Sequence, residues 1–378
     1  VTGEPAPIPS PPTPASASAG DRSGGGSPFA DARRILVVDL GFLGDTIHLI
    51  PALRELRRQH PRAALHVVTT PIGAEVLGLV PGIDRVWVHP LGKPSPPWWR
   101  HLGLIRDLRR QGFDLGLNFS GADRTLFVAA AAGVRHRITR AVRRYAFWQR
   151  WLAGRVIPAP SRALPVYEQR RQVLALAGYA LAPARFDLGP PAPDAAWARD
   201  QIPAEAVHLS ISASTPFKEW PVPAWGDLAK RLLAGGVPVL VATGSPNPRE
   251  RARLADLART VNDDRLRVIA EALPIARLTA LVARCSLHVG TDSGVTHIAF
   301  ALDRPTVSIF REYAGLDEWR PRGERHRSLT APCGCVDRPR MKPECAAAGT
   351  ALCLAGIGVQ PVAEAVFALR LSESTRGR

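Results

Sequence analysis

The sequence predicts an α/β protein built from two doubly wound, Rossmann-like halves. Three observations carry this. Short apolar, β-branched runs alternate with helix-length amphipathic segments. The alternation halts at a Pro-rich stretch, Gly189-Pro190-Pro191-Ala192-Pro193, and it restarts at Val207. Strands alternating with helices of this size imply right-handed βαβ units and parallel sheets.

Residues 1–32 are Pro, Ala, Ser and Gly with almost no large apolar side chains, so a disordered tail is expected there. The fold then begins at Arg33-Arg34-Ile35-Leu36-Val37-Val38, an apolar run that reads as a strand buried on both faces. A helix follows over 45–59, with Ile47, Ile50, Leu53 and Leu56 on one face and a bend or restart expected at Pro51. Strands are predicted at 65–70, 85–89 and 115–119, with helices at 73–79, 102–110 and 167–177. Residues 134–165, Arg-rich and aromatic, have no clean period and read as an acceptor-side excursion. Beyond the hinge, strands are predicted at 207–211, 237–243, 266–270, 287–291 and 306–310. Helices fall between them at 224–233, 249–260, 278–285 and 295–302. The expected organisation is thus a tail (1–32), one half at 33–190 and a second at 191–378. A ligand should lie in the cleft between the halves, at the carboxyl ends of the strands.

Composition bounds the function. Hydrophobic residues make up 46% and charged residues 22% of 378, the balance of a globular enzyme. No run approaches the roughly 18–20 apolar residues that span a bilayer, and no secretory signal is evident, so a cytoplasmic location is expected. The net charge of +16 favours anionic partners such as phosphorylated sugars or an acidic lipid surface. Nucleic acid is not expected as a partner, because no zinc-finger spacing, aromatic RNA-binding signature or compact basic block is present.

Three loops could carry chemistry. Asp39-Leu40-Gly41-Phe42-Leu43-Gly44-Asp45 links strand to helix; Gly44 permits close approach, and Asp45 is either a helix-terminal carboxylate or a general base. Ser212-Ala213-Ser214-Thr215-Pro216-Phe217-Lys218 sets small hydroxyls, Ser214 and Thr215 among them, beside a lysine suited to phosphate oxygens. Thr291-Asp292-Ser293-Gly294 opens a helix whose unpaired N–H groups form an anion site. An ionised Asp292 would repel phosphate, so it reads as an anchor for the loop or a sugar hydroxyl. His297, one turn on, either faces the ligand or is structural. Late in the chain Cys333, Cys335, Cys345 and Cys353 form C-x-C-x9-C-x7-C, either reduced thiols packing a loop or a structural zinc or iron site.

Together these segments resemble glycosyltransferase family 9, the lipopolysaccharide heptosyltransferases and their relatives. The shared features are Gly44-Asp45 with Pro51, Lys218-Glu219-Trp220-Pro221, and Asp292-Ser293-Gly294-Val295-Thr296-His297 leading to Pro305-Thr306. The resemblance covers roughly residues 33–368. It implies a GT-B fold and metal-independent, inverting transfer from a nucleotide sugar, ADP-heptose being the family-weighted donor, to a glycolipid or glycan acceptor. No cofactor is then required. Asp45 would take the acceptor proton, and Lys218, Ser293 and Gly294 would hold the departing phosphates. Glu250 stands where relatives place a ribose contact. The hydroxyl loop at 212–215 departs from the family pattern, which leaves its donor contacts open. Competing readings are another GT-B nucleotide-sugar enzyme, an epimerase or hydrolase, and a non-catalytic binding protein of the same fold. Peripheral contact with an anionic inner membrane would suit the basic charge.

Overall fold

The computed structural model describes residues 29, 31–89, 99–142, 145–245, 247–333 and 342–376. Its first half contains β1 (Arg34–Val38), α1 (Leu43–Gln59), β2 (Ala64–Thr69), α2 (Pro71–Leu77), β3 (Arg85–Val88) and α3 (Trp99–Gln111). It continues through β4 (Leu115–Asn118), α4 (Asp123–Ala131), β5 (His136–Arg140), α5 (Phe147–Ala153), β6 (Arg155–Ile157) and α6 (Val166–Ala177). The second half contains α7 (Ala192–Gln201), β7 (Val207–Ser210), a 3-10 turn (Pro216–Lys218), α8 (Val222–Ala234), β8 (Leu240–Thr243) and α9 (Pro248–Val261). Then come β9 (Leu266–Ile269), α10 (Ile275–Arg284), β10 (Leu287–Thr291), α11 (Gly294–Ala301), β11 (Thr306–Arg311) and α12 (Leu316–Trp319). The chain closes on β12 (His326–Ala331), α13 (Pro343–Ala348), α14 (Leu352–Ala355) and α15 (Val359–Arg376).

Each half holds a six-stranded parallel sheet, ordered β3-β2-β1-β4-β5-β6 and β12-β11-β10-β7-β8-β9. Read from β9, the second order is the same permutation as the first. The reversal in strand order falls between β1 and β4 in one half and between β7 and β10 in the other, and crevices open at such points. This is the GT-B arrangement, and it sets the loops after β1, β7 and β10 at the cleft.

The apolar runs form strands because both faces are covered: Ile35 and Val37 pack under α1, and Leu36 and Val38 under the α3–α4 layer. The interface between halves is also apolar, with Ile47, Ile50, Val76 and Leu188 meeting Ile275, Val282, Ile298 and Ala299. Glu75 adds a polar tie by accepting the Ile275 N–H at 3.1 Å, at the start of α10.

Several elements differ from the sequence expectation. Helix α1 runs unbroken through Pro51. The proline removes one backbone N–H donor, and burial of Leu49, Ile50, Ala52 and Leu53 holds the helix together regardless. β8 begins at Leu240 rather than 237, because Val237 is buried in the turn that follows α8. Residues 134–165 are no excursion; they supply β5, α5 and β6, the outer strands of the first sheet. Residues 1–28 and 30 of the expected tail lie outside the described residues, while Phe29 and Ala32 pack against the first core.

Candidate active site

Asp45 sits in the first turn of α1, where Phe42 donates its backbone N–H to Asp45 Oδ2 at 3.0 Å. This is the carboxylate half of a capping box, and it fixes one oxygen. The other oxygen faces Arg170 of α6: Nη2 lies 3.5 Å from Asp45 Oδ1 and 3.1 Å from Asp39 Oδ2. Arg170 also donates to the Asp45 carbonyl. Arg170 and Asp39 are buried, whereas 29% of the Asp45 side chain remains exposed. Burial pushes the Asp45 carboxyl above its ordinary value; Arg170 opposes that, Asp39 adds to it, and Lys218 opposes it from the other half. The result is a reachable carboxylate held in one orientation and made more basic than a free aspartate.

Lys218 ends the 3-10 turn after β7, and its Nζ lies 2.9 Å from Asp292 Oδ2. Asp292 therefore anchors the lysine. An ammonium has three donors, so this contact leaves Lys218 able to reach a second anion. Directly after Asp292, Ser293 is the N-cap of α11 and makes no side-chain cap bond; its Oγ lies 3.5 Å from Ser210 Oγ. The first N–H groups of α11 have no partner within the helix, and the helix dipole points their positive end at the same space. Ser214 and Thr215 are exposed on the loop beside Lys218.

Beneath the site, Glu219 is buried and braces the β7–α8 loop. It accepts the Ala213 N–H at 3.0 Å and pairs with Arg249 at 2.9 Å and Arg253 at 3.4 Å. Glu250 lies in the first turn of α9 and acts electrostatically on Arg253. A buried chain runs below the strand ends: Thr243 Oγ1 to His208 (2.9 Å), His208 to His288 (2.8 Å), His288 to Thr296 Oγ1 (3.2 Å). Thr296 then donates to the Thr291 carbonyl at 2.7 Å, which ties the chain to the loop.

The two glycines of the motifs meet across the interface. A Cβ on Gly44 would lie 2.7 Å from His297 Cδ2, and one on Gly294 would lie 2.4 Å from Leu43 Cδ2. They are small because α1 and α11 press together. His297 is buried there, with Nδ1 3.1 Å from His48 Nε2. Burial pushes the His297 ring down to about 4, against a smaller opposing pull from Asp292, and it holds His48 well below its ordinary value. Both rings are thus neutral at pH 7, and one donates to the other. Trp319 of α12 covers the pair, its ring 5.4 Å from His48 and 5.6 Å from His297.

The structure brings Asp45, Lys218, Asp292, Ser293, Gly294 and His297 to one cleft. Sequence reasoning missed Arg170, His48, Glu318 and Trp319. Arg170 lies 125 residues from Asp45, and no local pattern announces such a pairing. In the cysteine segment, Cys353 hydrogen-bonds with Cys333, and burial pushes its thiol up to about 12. Cys335 lies outside the described residues, and among those described no three His, Cys, Asp or Glu side chains converge as a metal site. Nor, among the described residues, is any helix long and apolar enough to cross a membrane.

Known proteins share this plan. The family model for glycosyltransferase family 9 (heptosyltransferase) matches residues 101–345. Lipopolysaccharide heptosyltransferase 1 of Pseudomonas aeruginosa is 27% identical over 328 residues, covering 82% of this chain and 87% of that protein. Lipopolysaccharide heptosyltransferase 2 of Escherichia coli is 24% identical over 292 residues, covering 73% and 82%. The solved structure of E. coli ADP-heptose lipopolysaccharide heptosyltransferase II superposes with a TM-score of 0.72 at 21% identity, over 90% of this chain and 99% of that one.

Proposed function

This chain belongs to glycosyltransferase family 9, the heptosyltransferase family, and from that premise we propose that it moves heptose from ADP-heptose onto a lipopolysaccharide-core acceptor with inversion at the anomeric carbon. One observation carries the reading: a raised, oriented carboxylate, Asp45, faces a lysine and a helix N-terminus on the opposite half. An inverting transfer needs those two poles. The acceptor hydroxyl attacks the anomeric carbon as the bond to the diphosphate breaks, its proton passes to Asp45, and negative charge grows on the leaving phosphate. Lys218 and the N–H groups of Ser293, Gly294 and the first turn of α11 receive that charge, so no metal is required for the chemistry. Ser214 and Thr215 sit where donor phosphates or sugar hydroxyls would pass, and Glu250 would take the ribose. His297 serves the donor loop through its packing on Gly44, which holds α11 against α1. The halves are taken as 33–190 for the acceptor and 191–378 for the donor. The names and titles of the relatives support the sugar, the nucleotide and the acceptor. A zinc or iron at Cys333, Cys335, Cys345 and Cys353 would be structural, since the chemistry assigned to Asp45 and Lys218 needs no metal.

Asp45→Asn tests the assignment. Transfer from ADP-heptose to a lipopolysaccharide-core acceptor should fall by about 10²–10⁴-fold, the usual share of a general base. Donor affinity, measured by calorimetry, should persist. Near-normal turnover would remove Asp45 from the mechanism. In the parent enzyme, kcat/KM should fall on the acid side through a pKa above the ordinary aspartate value, because the base works only when ionised. Lys218→Ala should weaken donor binding as well as turnover. NMR of the product's anomeric proton reports inversion or retention.

A further inference from the structure

We propose that the outer helical layer of the N-terminal half, centred on α5, is a docking surface for an anionic phospholipid bilayer. The proposal rests on the reading of the acceptor as lipid-linked, and the observation behind it is a helix turned inside out. In α5, Phe147, Trp148 and Trp151 are 86%, 48% and 74% exposed, while the polar Gln149 and small Ala153 are buried. At about 100° per residue the three aromatics share one face and the buried pair the opposite one. Gln149 explains the inversion: its Nε2 donates to Asp123 at 2.8 Å, and its Oε1 accepts the Ala146 N–H at 2.9 Å, so the polar side is pinned to α4.

The neighbouring helices expose apolar side chains too. Phe127 of α4 is 58% exposed and Leu102 of α3 is 53% exposed. Helices α3, α4 and α5 each precede a strand on the β4-β5-β6 side of the sheet, so right-handed crossovers set all three on one face. Helix α1, on the other face, meets the C-terminal half. The aromatic layer therefore faces away from the donor half. Single exposed apolar residues need no explanation, but a run of rings on adjacent helices does.

Charge selects the partner. Residues 124–167 contain nine arginines and no aspartate or glutamate, although Arg140 and Arg162 among them turn to Gln169 and Glu318, and Asp123 just before them is bonded to Gln149. Arg124 and Arg150, both exposed, stand on the same two helices as the aromatics. Tryptophan beside arginine suits the boundary between headgroups and acyl chains, where the ring is half immersed and the guanidinium meets phosphate. Position suits it too. Helix α5 starts at the carboxyl end of β5, the end of the sheet from which the β1 loop presents Asp45. A glycan whose lipid stays in the bilayer would then reach the cleft from the side.

The test is sedimentation with vesicles, using the full chain without donor or acceptor. Vesicles of phosphatidylcholine alone are compared with vesicles that also carry phosphatidylglycerol. The parent protein should bind the anionic vesicles, and raised salt should weaken the binding. The triple variant Phe147→Ser, Trp148→Ser, Trp151→Ser should lose at least about tenfold in binding, with an unchanged melting temperature and unchanged turnover on a lipid-free acceptor. Equal binding by the triple variant, or binding indifferent to lipid charge, overturns the proposal. So does a parent dimer, seen by ultracentrifugation, that the triple variant dissolves, since the face would then serve a second copy. Failure of heptose transfer would count against the proposed function and leave the vesicle result standing.

Discussion

Helices α5 and α12 occupy the same place in the two halves, each joining the fifth strand of its sheet to the sixth. Both are short and both carry tryptophan, yet they do opposite things. Helix α12 turns into the cleft. Its Glu318 is buried, accepting from Arg162 Nε at 2.6 Å and from Gln169 Nε2 at 2.9 Å, and Trp319 covers the His48–His297 pair. Helix α5 turns outward and leaves Trp148 and Trp151 in solvent. A repeated topology therefore does not fix the use of its parts. One copy clamps the two halves together, and the other presents a surface.

The largest expected effect breaks the clamp with acid. His48 and His297 are held neutral by burial at the interface, as are His208 and His288 beneath the donor loop. Their folded pKa values are depressed, His297 to about 4 and His208 to about 3. The unfolded chain thus takes up protons first. Stability is intact above the ordinary value near 6.5 and is lost as pH falls below it. Each ring contributes a slope of about 1.4 kcal/mol per pH unit in that window. Melting temperature should drop steeply from pH 6.5 to 5, and His297→Gln should flatten part of the drop. A melting temperature constant over that range would show the rings charged or exposed.

Next in size is Gly44→Ala. Alanine gains about 1 kcal/mol of helix propensity over glycine, but its Cβ would lie 2.7 Å from His297 Cδ2. Either α11 shifts or the halves part. A displacement of about 1 Å at a reacting pair can cost about 10²-fold, so turnover should fall on that scale with little change in melting temperature. Full activity would mean that the close approach of α1 and α11 is dispensable.

How much of this was legible follows from where the signal lies. β1 was plain because, after Arg34, a strand covered on both faces is an unbroken apolar run. β5, with five residues, and β6, with three, were not. They lie at the sheet's outer side, arginine interrupts them, and α5 between them inverts the rule that apolar side chains point inward. The motif loops could be read from small residues at strand ends. Their partners could not: Arg170 meets Asp45 and Asp39 only after α6 packs on α1, and the sequence gives no period for that. Even the glycines had a second meaning. Gly44 read as permitting close approach and Gly294 as part of the phosphate loop, and the fold uses both as room for each other's helix.

The two smallest effects bear on the comparison directly. Trp319→Ala removes a half-buried ring from the histidine pair and should cost about 2 kcal/mol, less than the roughly 3–5 kcal/mol of a fully buried tryptophan. It should also raise KM for donor or acceptor, because the halves lose a shared contact. Trp151→Ser is its counterpart on α5. The ring is 74% exposed, so removal should change stability by no more than about 0.5 kcal/mol. Denaturant melts of the two variants, run side by side, decide the matter. If Trp151→Ser costs as much as Trp319→Ala, α5 holds the fold as α12 does and its outward face has another cause. If the costs separate as expected, the aromatic face of α5 does little for folding, and what remains to account for it is whatever docks there.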